Sequence, residues 1–470
     1  MFYFVLHLIC IIFAVGKSET KTDMRQISRY IILLVIVMAS LGVAAQTGKW
    51  REMHKVKSKE TVYGIARDYG LTVDELVKAN PDMSVPGYTL KKGDYIFIPY
   101  PSGEAPAHQT ASTSGLNAAP ADALKVGVVL PLHNVDGDGR RMVEYYRGLL
   151  MACEDLKKEG RSVSVNAWNV PADADIYRTL VKDGLSDCDI IFGPLYSAQV
   201  KPLSFFSKDN DIKLVIPFSI TGNDVDKNPN IFQVYQSPEA FYGMVINHFA
   251  YRFKDYHVVV IDCNDKTSDK GVFTFGLRKK LENHGISCAV TNLNSSSGMF
   301  AGAFSAVKPN MVVLNTGRSP ELGTVLDMLD ALVGDHPTLR VSLFGYTEWL
   351  MYANHYLDRF FKYDTYIPSH FYYNMYSSRV KAFEQRYRAT FKSDMMDYQP
   401  RFAMTGYDHG MFFLSGMFKY GKNFDGSVED ADALQTRLHF VKPRGNGGYR
   451  NESLVFVHYN TDRSISLINF

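Results

Sequence analysis

From Lys125 onward, short continuous apolar runs alternate with stretches of helical period, and this alternation most restricts what the chain can fold into. The runs are VGVVL (126–130), DIIFG (189–193), VVVID (258–262) and MVVLN (311–315). A strand that is apolar along its whole length buries both faces, as the strands of a parallel sheet covered by crossover helices do. Strands are expected at 125–131, 162–168, 189–193, 213–217, 257–262, 287–291, 311–315 and 341–345. Helical patterns lie between them, at 142–159, 176–185, 238–253, 271–283 and 321–332. This order predicts an α/β fold with doubly wound sheets. It also predicts two lobes, because one series closes with IFQVY at 231–235 and a long helix, and a second opens at His257.

A separate small unit precedes this region. Residues 54–99 are bounded by an apolar segment before and a linker after, and a stretch this short can fold only as a very small domain. The pattern predicts a strand (54–56), a helix (61–69), a second helix (72–80) and a strand (95–99). Thr61 follows an acidic residue, and Thr72 stands three residues before Glu75, as in a capping box. Gly70 follows the first helix, where a left-handed residue costs least. Ile65, Ala66 and Tyr69 give one helix an apolar face, and Val73, Leu76 and Val77 give the other.

The ordered pieces HxVK, ETVYxIA, YGLTVxxL, ANP, LKxGD and IxIP in this unit resemble a LysM module. The resemblance implies a βααβ domain that binds N-acetylglucosamine-containing glycans such as peptidoglycan. It also implies a glycan groove edged by Ser58, Lys59, Glu60 and Thr61 on one side and by Asn80, Pro81 and Asp82 on the other. Two departures bear on that groove. Lys59 stands where the family usually has glycine, and the segment 82–88 is slightly long.

The large region carries a second resemblance. KVGVVLPL (125–132), RGLLMAxEDL (147–156), DIIFGPLYS (189–197), LVIPFS (214–219) and IFQVYQSP (231–238) together are similar to type 1 periplasmic-binding-protein domains. The closest pattern is that of the branched-chain amino-acid-binding proteins, and penicillin-binding-protein activators share the fold. TGYDHG at 405–410 resembles the late helix that returns to the first lobe. Over residues 124–470 the resemblance implies two Rossmann-like lobes joined by hinge crossings. Any ligand then sits in the cleft, outside the carboxyl ends of the strands.

In amino-acid-binding relatives, hydroxyl groups and backbone N–H groups of lobe one hold the ligand. The matching positions are Ser197, Ser219 and Thr221. Helix N-termini there would favour an anion. The competing reading is that Ser197 and Ser219 cap helices or turns. Lobe two departs from the pattern. Residues 265–271 (DKTSDKG) lack the aromatic expected there, and Glu348, the candidate for an ammonium group, is displaced by one residue. The resemblance therefore implies an altered or lost amino-acid pocket. The stretch 134–141 (NVDGDGRR) reads as a solvated, partner-facing loop. It fails as a calcium loop because the twelfth position from Asp136 is Arg147. The aromatic run at 369–376 reads as core or lobe interface, with ligand stacking as the alternative.

Nothing in the sequence calls for a cofactor or a metal. GxSxG, HExxH and Walker A motifs are absent, Met142 fills the place of the third glycine after Gly137 and Gly139, and the 13 histidines show no ligand spacing. Asp408 and His409 are adjacent on a helix and diverge by about 100°, so they form no dyad. With 51 basic and 49 acidic residues, net charge +2, no nucleic-acid footprint is implied.

The N-terminal region reads as an export signal. Arg25 and Arg29, the apolar core 31–38 and the small residues 43–45 have signal-peptide order. The expectation is a start at Met24, an over-extended 1–23, a signal peptide at 24–45 and a mature chain from near Gln46; an N-terminal membrane hairpin is the alternative. Membrane association is then limited to that export segment. Cys153, Cys188, Cys263 and Cys288 remain, with Cys153 on a helix and the others on strand-like runs. They are expected to be buried and reduced. Residues 100–123 are rich in Ala, Pro, Ser and Thr and read as a flexible linker with a reach of roughly 25–30 Å.

The resulting expectation is a non-enzymatic, exported envelope protein. Its LysM module (53–99) binds peptidoglycan glycan strands, and its two-lobed domain is a ligand sensor or a platform for a cell-wall synthase. The alternative is a solute-binding protein that captures an amino-acid-like small molecule for an ABC transporter. A LysM-targeted wall hydrolase is disfavoured by the missing catalytic motifs.

Overall fold

The computed structural model describes residues 50–84, 88–99, 122–220, 222–428, 433–443 and 445–470. The expected segments 1–23 and 24–45, most of the linker 100–123 and Thr221 lie outside the described residues.

In the small domain, β1 (Trp50–Lys55) pairs antiparallel with β2 (Tyr95–Pro99), with His54 opposite Ile96. Between them run α1 (Val62–Asp68) and α2 (Val73–Ala79). Thr61 caps α1 by accepting from the Gly64 N–H at 3.0 Å, and Thr72 with Glu75 forms a full capping box on α2. Each such cap contributes about 1 kcal/mol. Gly70 takes φ 70° to turn the chain between the helices. Ile65, Ala66 and Leu76 meet Val56, Ile96 and Ile98 in one core. The first strand begins at Trp50, earlier than the expected 54–56. Phe97 of β2 is buried with the outer apolar cluster of the first lobe, which includes Leu203 and Phe206.

The first lobe alternates β3 (Leu124–Leu130), α3 (Gly137–Lys158), β4 (Val163–Asn169), α4 (Ile176–Leu180), β5 (Ile190–Phe192), α5 (Ser197–Asp209), β6 (Lys213–Ile216) and β7 (Ile231–Gln233). These five strands are parallel in the order β4-β3-β5-β6-β7. The second lobe repeats the pattern. It runs through α6 (Pro238–Arg252), β8 (His257–Asp262), α7 (Gly271–Asn283), β9 (Cys288–Asn292), α8 (Ser297–Ala301), β10 (Asn310–Leu314), α9 (Ser319–Asp335), β11 (Val341–Phe344), α10 (Ala353–Lys362) and β12 (Thr365–Ser369). Its order is β9-β8-β10-β11-β12, again parallel. Both lobes are thus the doubly wound arrangement that the apolar runs predict.

The remaining chain closes both sheets. Helices α11 (Ser378–Phe391) and α12 (Phe402–Tyr420) return to the first lobe. Then β13 (Phe440–Val441) and β14 (Tyr449–Asn451) extend its sheet beyond β7, and β15 (Val455–Tyr459) and β16 (Ile465–Asn469) extend the second sheet beyond β12. The chain therefore crosses between lobes three times, after β7, after β12 and after β14.

The return of α12 depends on bare backbone. A Cβ at Gly148 of α3 would lie 1.8 Å from the Ala403 carbonyl oxygen, and one at Gly406 would lie 1.9 Å from that of Tyr145. Asp408 and His409 then diverge as expected. Asp408 accepts from the N–H groups of Leu434, Gln435 and Thr436 at 2.7, 2.9 and 2.8 Å, whereas His409 Nδ1 meets the Tyr145 hydroxyl at 3.0 Å.

Three expectations are corrected. The helix expected at 142–159 begins at Gly137, because Asp136 caps it by accepting from the Gly139 N–H at 2.7 Å; residues 137–141 of the charged stretch 134–141 are therefore helical. The helix expected at 176–185 stops at Leu180, and Gly184 follows at φ 82°. Cysteines 188 and 263 are buried and all four are unpaired, but Cys153 is half-buried and Cys288 is exposed, since β9 is an edge strand.

Two predictions follow from the packing. Gly148→Ala should lower stability by about 2–3 kcal/mol, because two helix backbones must separate; a denaturation midpoint equal to that of the natural protein would contradict the close approach. The second concerns Glu144, whose carboxylate is buried on α3 and accepts from the Met396 N–H. Burial pushes its pKa up to about 7, against the opposing pull of the Met396 N–H, Arg401 and Arg147. A raised carboxyl pKa means that the folded state holds a proton which the unfolded state has released. The associated stability is complete below about pH 4.5 and is lost as pH rises toward 7. Glu144→Gln should therefore gain roughly 1–3 kcal/mol at pH 8 and little at pH 4, measured by denaturation at both pH values.

Candidate functional site

The carboxyl ends of strands from both sheets face a common cleft. Phe218 and Ile220 follow β6, Tyr235 and Gln236 follow β7, and Lys270 lies on the connection after β8. Tyr346, Thr347 and Glu348 follow β11, and Pro368, His370 and Phe371 come from the end of β12 and the crossing after it. These residues enclose a cavity of about 480 Å³. Its position is the one at which open α/β sheets bind ligands.

Aromatic rings make most of the wall. Phe218 and Tyr235 have centroids 5.8 Å apart, and Phe241 and His370 4.1 Å apart. Phe273 lies 5.3 Å from Tyr242 and 5.5 Å from Tyr346. The Tyr346 hydroxyl donates to the Leu314 carbonyl at 2.5 Å, which fixes that ring. Burial lowers the pKa of His370 to about 4, with partial compensation from the Ser453 carbonyl, so its imidazole is neutral at pH 7.

One ion pair stands in this wall. Lys270 Nζ lies 2.7 Å from Glu348 Oε1 and donates to the Tyr242 hydroxyl at 2.9 Å. It also lies over the rings of Tyr346 and Tyr242, at 5.1 and 5.5 Å. Burial pulls the Lys270 pKa down, but its bonds to Glu348 and Tyr242 outweigh that and raise the pKa above the usual lysine range.

Among the cleft residues expected from sequence, Ser197 and Ser219 come together, Oγ to Oγ at 2.9 Å. Ser197 opens α5 and is exposed, and Ser219 is buried beside the lining residues Phe218 and Ile220. The α5 cap position is Tyr196, whose hydroxyl donates to Asp138 at 3.3 Å. Glu348 lines the cavity, whereas Thr221 is outside the described residues. Lys270 was not among the expected residues; the loop 265–271 carries two lysines, Lys266 and Lys270, and nothing local in the sequence marks the second as the one that reaches the cleft.

In the small domain, Ser58 and Lys59 are exposed at the turn before α1. The Glu60 carboxylate accepts from the Lys57 N–H at 2.6 Å and meets His54 Nε2 at 2.8 Å, and the Thr61 hydroxyl is the α1 cap. Asn80 is buried. Its amide donates to the carbonyls of Leu76 and Phe97 at 2.8 and 2.9 Å and accepts from the Phe97 N–H at 2.7 Å, which ties α2 to β2. Pro81 and Asp82 begin a single-turn helix, Pro81–Ser84.

The chain thus joins a small β-α-α-β module to a two-lobed, doubly wound α/β domain with a cleft at the strand ends. Comparison with known families and structures makes this specific. Residues 54–99 match the LysM domain family. The large domain has the type 1 periplasmic-binding-protein fold. A structure described as a branched-chain amino-acid ABC transporter from Rhodospirillum rubrum is 16% identical, with 74% of this chain and 100% of that one covered, at a TM-score of 0.51. A branched-chain amino-acid ABC transporter periplasmic ligand-binding protein from Burkholderia xenovorans is 14% identical over 73% of this chain and 94% of that one, at 0.45. LivJ of Streptococcus pneumoniae, in complex with isoleucine, is 13% identical over 74% and 100%, at 0.40. The first of these carries the fold assignment. No curated protein matches the chain.

Lys59 adopts φ 69°, in the left-handed region that favours glycine. Lys59→Gly should therefore stabilise the small domain by about 1 kcal/mol. Thermal unfolding followed at residues of this domain by NMR tests it; an unchanged or lower midpoint would show that the turn carries no strain.

Proposed function

We propose that this is a non-enzymatic protein of the cell envelope that attaches to peptidoglycan through residues 54–99 and binds a small ligand between its two large lobes. The observation that carries the reading is the presence, on one chain, of a LysM domain and a cavity walled by strand ends of both lobes. Ser58, Lys59, Glu60, Thr61, Asn80, Pro81 and Asp82 are the proposed edges of the glycan groove. Glu60 and Asn80 would shape it through their internal bonds, and Ser58 and Lys59 would offer exposed contacts.

Residues 100–123 would tether the two parts, after export directed by residues 24–45. Among the described residues no helix is long and apolar enough to cross a membrane. In this reading the large domain reports ligand occupancy to a partner, and a cell-wall synthase is the proposed one, because the anchor holds the protein at the wall. Closure of lobes around a ligand would change the surface offered to that partner.

A second reading, solute capture for a transporter, draws on the paired hydroxyls of Ser197 and Ser219 beside the cleft. It requires Ser197→Ala and Ser219→Ala to weaken binding of an amino acid by about tenfold each in calorimetry.

The anchor is tested on purified sacculi. The full chain should be retained and a version without residues 53–99 should wash through; equal retention of both would sink the assignment.

A further inference from the structure

The Lys270–Glu348 pair has a consequence for what the cleft can hold, and this inference rests on the ligand-binding reading above. A ligand ammonium in such a cleft needs a carboxylate with a free face. Glu348 already receives an ammonium from its own chain at 2.7 Å. The cation that occupies it is itself fixed by the Tyr242 hydroxyl at 2.9 Å and by the face of Tyr346 at 5.1 Å. Lys270 is only 8% exposed, so the cation is fixed in the wall, while the Glu348 side chain that it pairs with is 41% exposed. Asp269 is the other carboxylate near Lys270, at 3.7 Å, with its side chain turned largely to solvent.

Among the described residues, the rest of the lining supplies no compensating charge. His370 is buried and neutral, and Gln236, Thr347 and Gln399 offer dipoles only. What remains is apolar ring surface from the half-buried Phe218, Tyr235 and Phe241, backed by the buried Phe273 and Tyr346. A charged group brought into this space loses its water and must compete with Lys270 for Glu348 or with Glu348 for Lys270, which is costly. An uncharged ring loses little and gains contact with aromatic faces.

We infer that the cleft takes an uncharged, flat, largely apolar small molecule, and that the Lys270–Glu348 pair excludes amino-acid zwitterions by occupying their ammonium site with a side chain of the protein.

The test is a charge series on one ring system, titrated into the full chain by calorimetry and ligand-observed NMR. Indole, tryptamine, indole-3-acetate and L-tryptophan are the probes. Indole should bind, and each charged member should bind about tenfold more weakly or worse. Met351→Trp, at a 59% exposed residue of the cavity rim, should weaken indole binding. Lys270→Met should release Glu348 and reverse the order, so that tryptamine binds better than indole. If tryptamine, indole-3-acetate or L-tryptophan binds the natural protein as well as indole does, the ligand class is wrong and the cleft still binds ligand. If Met351→Trp leaves indole binding unchanged, indole is held elsewhere and the inference falls. If neither the series nor any of the common amino acids binds, both this inference and the ligand-binding reading fall.

Discussion

The two lobes are coupled through Asn451, a buried side chain at the last crossing. Its amide donates to the Val234 carbonyl at 3.2 Å, on the first crossing, and its side-chain oxygen accepts from the N–H groups of His439 and Ser453 at 2.8 and 3.1 Å. Its own carbonyl accepts from Gln236. The middle crossing joins by the Tyr372 N–H donating to Gln435 at 2.9 Å, beside the three amides that Asp408 holds. One network of buried hydrogen bonds therefore fixes all three crossings. Buried polar groups of this kind are costly to leave unpaired, so the crossings hold together as a unit. The cavity opens directly onto this network, through Tyr235, Gln236, His370 and Phe371. A ligand that moves these residues acts on the hinge itself.

Most of the fold was legible because burial on both strand faces leaves an unmistakable pattern. Each of the apolar runs at 126–130, 189–193, 258–262 and 311–315 overlaps an internal parallel strand. The threonine caps at 61 and 72 were legible because capping needs only local sequence. Strand β12 was not, since Thr365–Ser369 reads TYIPS and contains a proline. That strand tolerates it next to an antiparallel neighbour that arrives from the far end of the chain. Strands β13 to β16 were hidden for the same reason: their partners are set by long-range topology, and no crossover helix announces them. The start of α3 was misplaced because Asp136, inside a charged stretch, serves as a cap.

The site was legible in position and not in charge. Sequence placed Glu348 at the cleft and brought Ser197 and Ser219 to one corner, where they meet. It could not show that Lys270, far away in the chain, neutralises Glu348, since that depends on the loops after β8 and β11 facing one another across a parallel sheet. The aromatic run at 369–376 illustrates the same limit. It was expected in the core or at a lobe interface, with ligand stacking as the alternative, and the structure places His370 and Phe371 on the crossing after β12 and in the cavity wall.

The small and large parts differ in how much of their chemistry is committed internally. In the LysM domain, Glu60, Thr61 and Asn80 spend their polar atoms on the turn before α1 and on the junction of α2 with β2, so a groove there is held by the same bonds that hold the fold. A glycan groove at these residues, as proposed, would be preformed and would give up little on binding. In the large domain the paired charges sit in the wall, while the lobes remain joined by three strands of backbone. In the proposed function, recognition at the wall would depend on shape in the small domain, and recognition in the cleft on closing two lobes over a surface whose Lys270 and Glu348 are already paired. A ligand without charge lets the lobes close without stranding Glu348 or Lys270, because it leaves each as the other's partner.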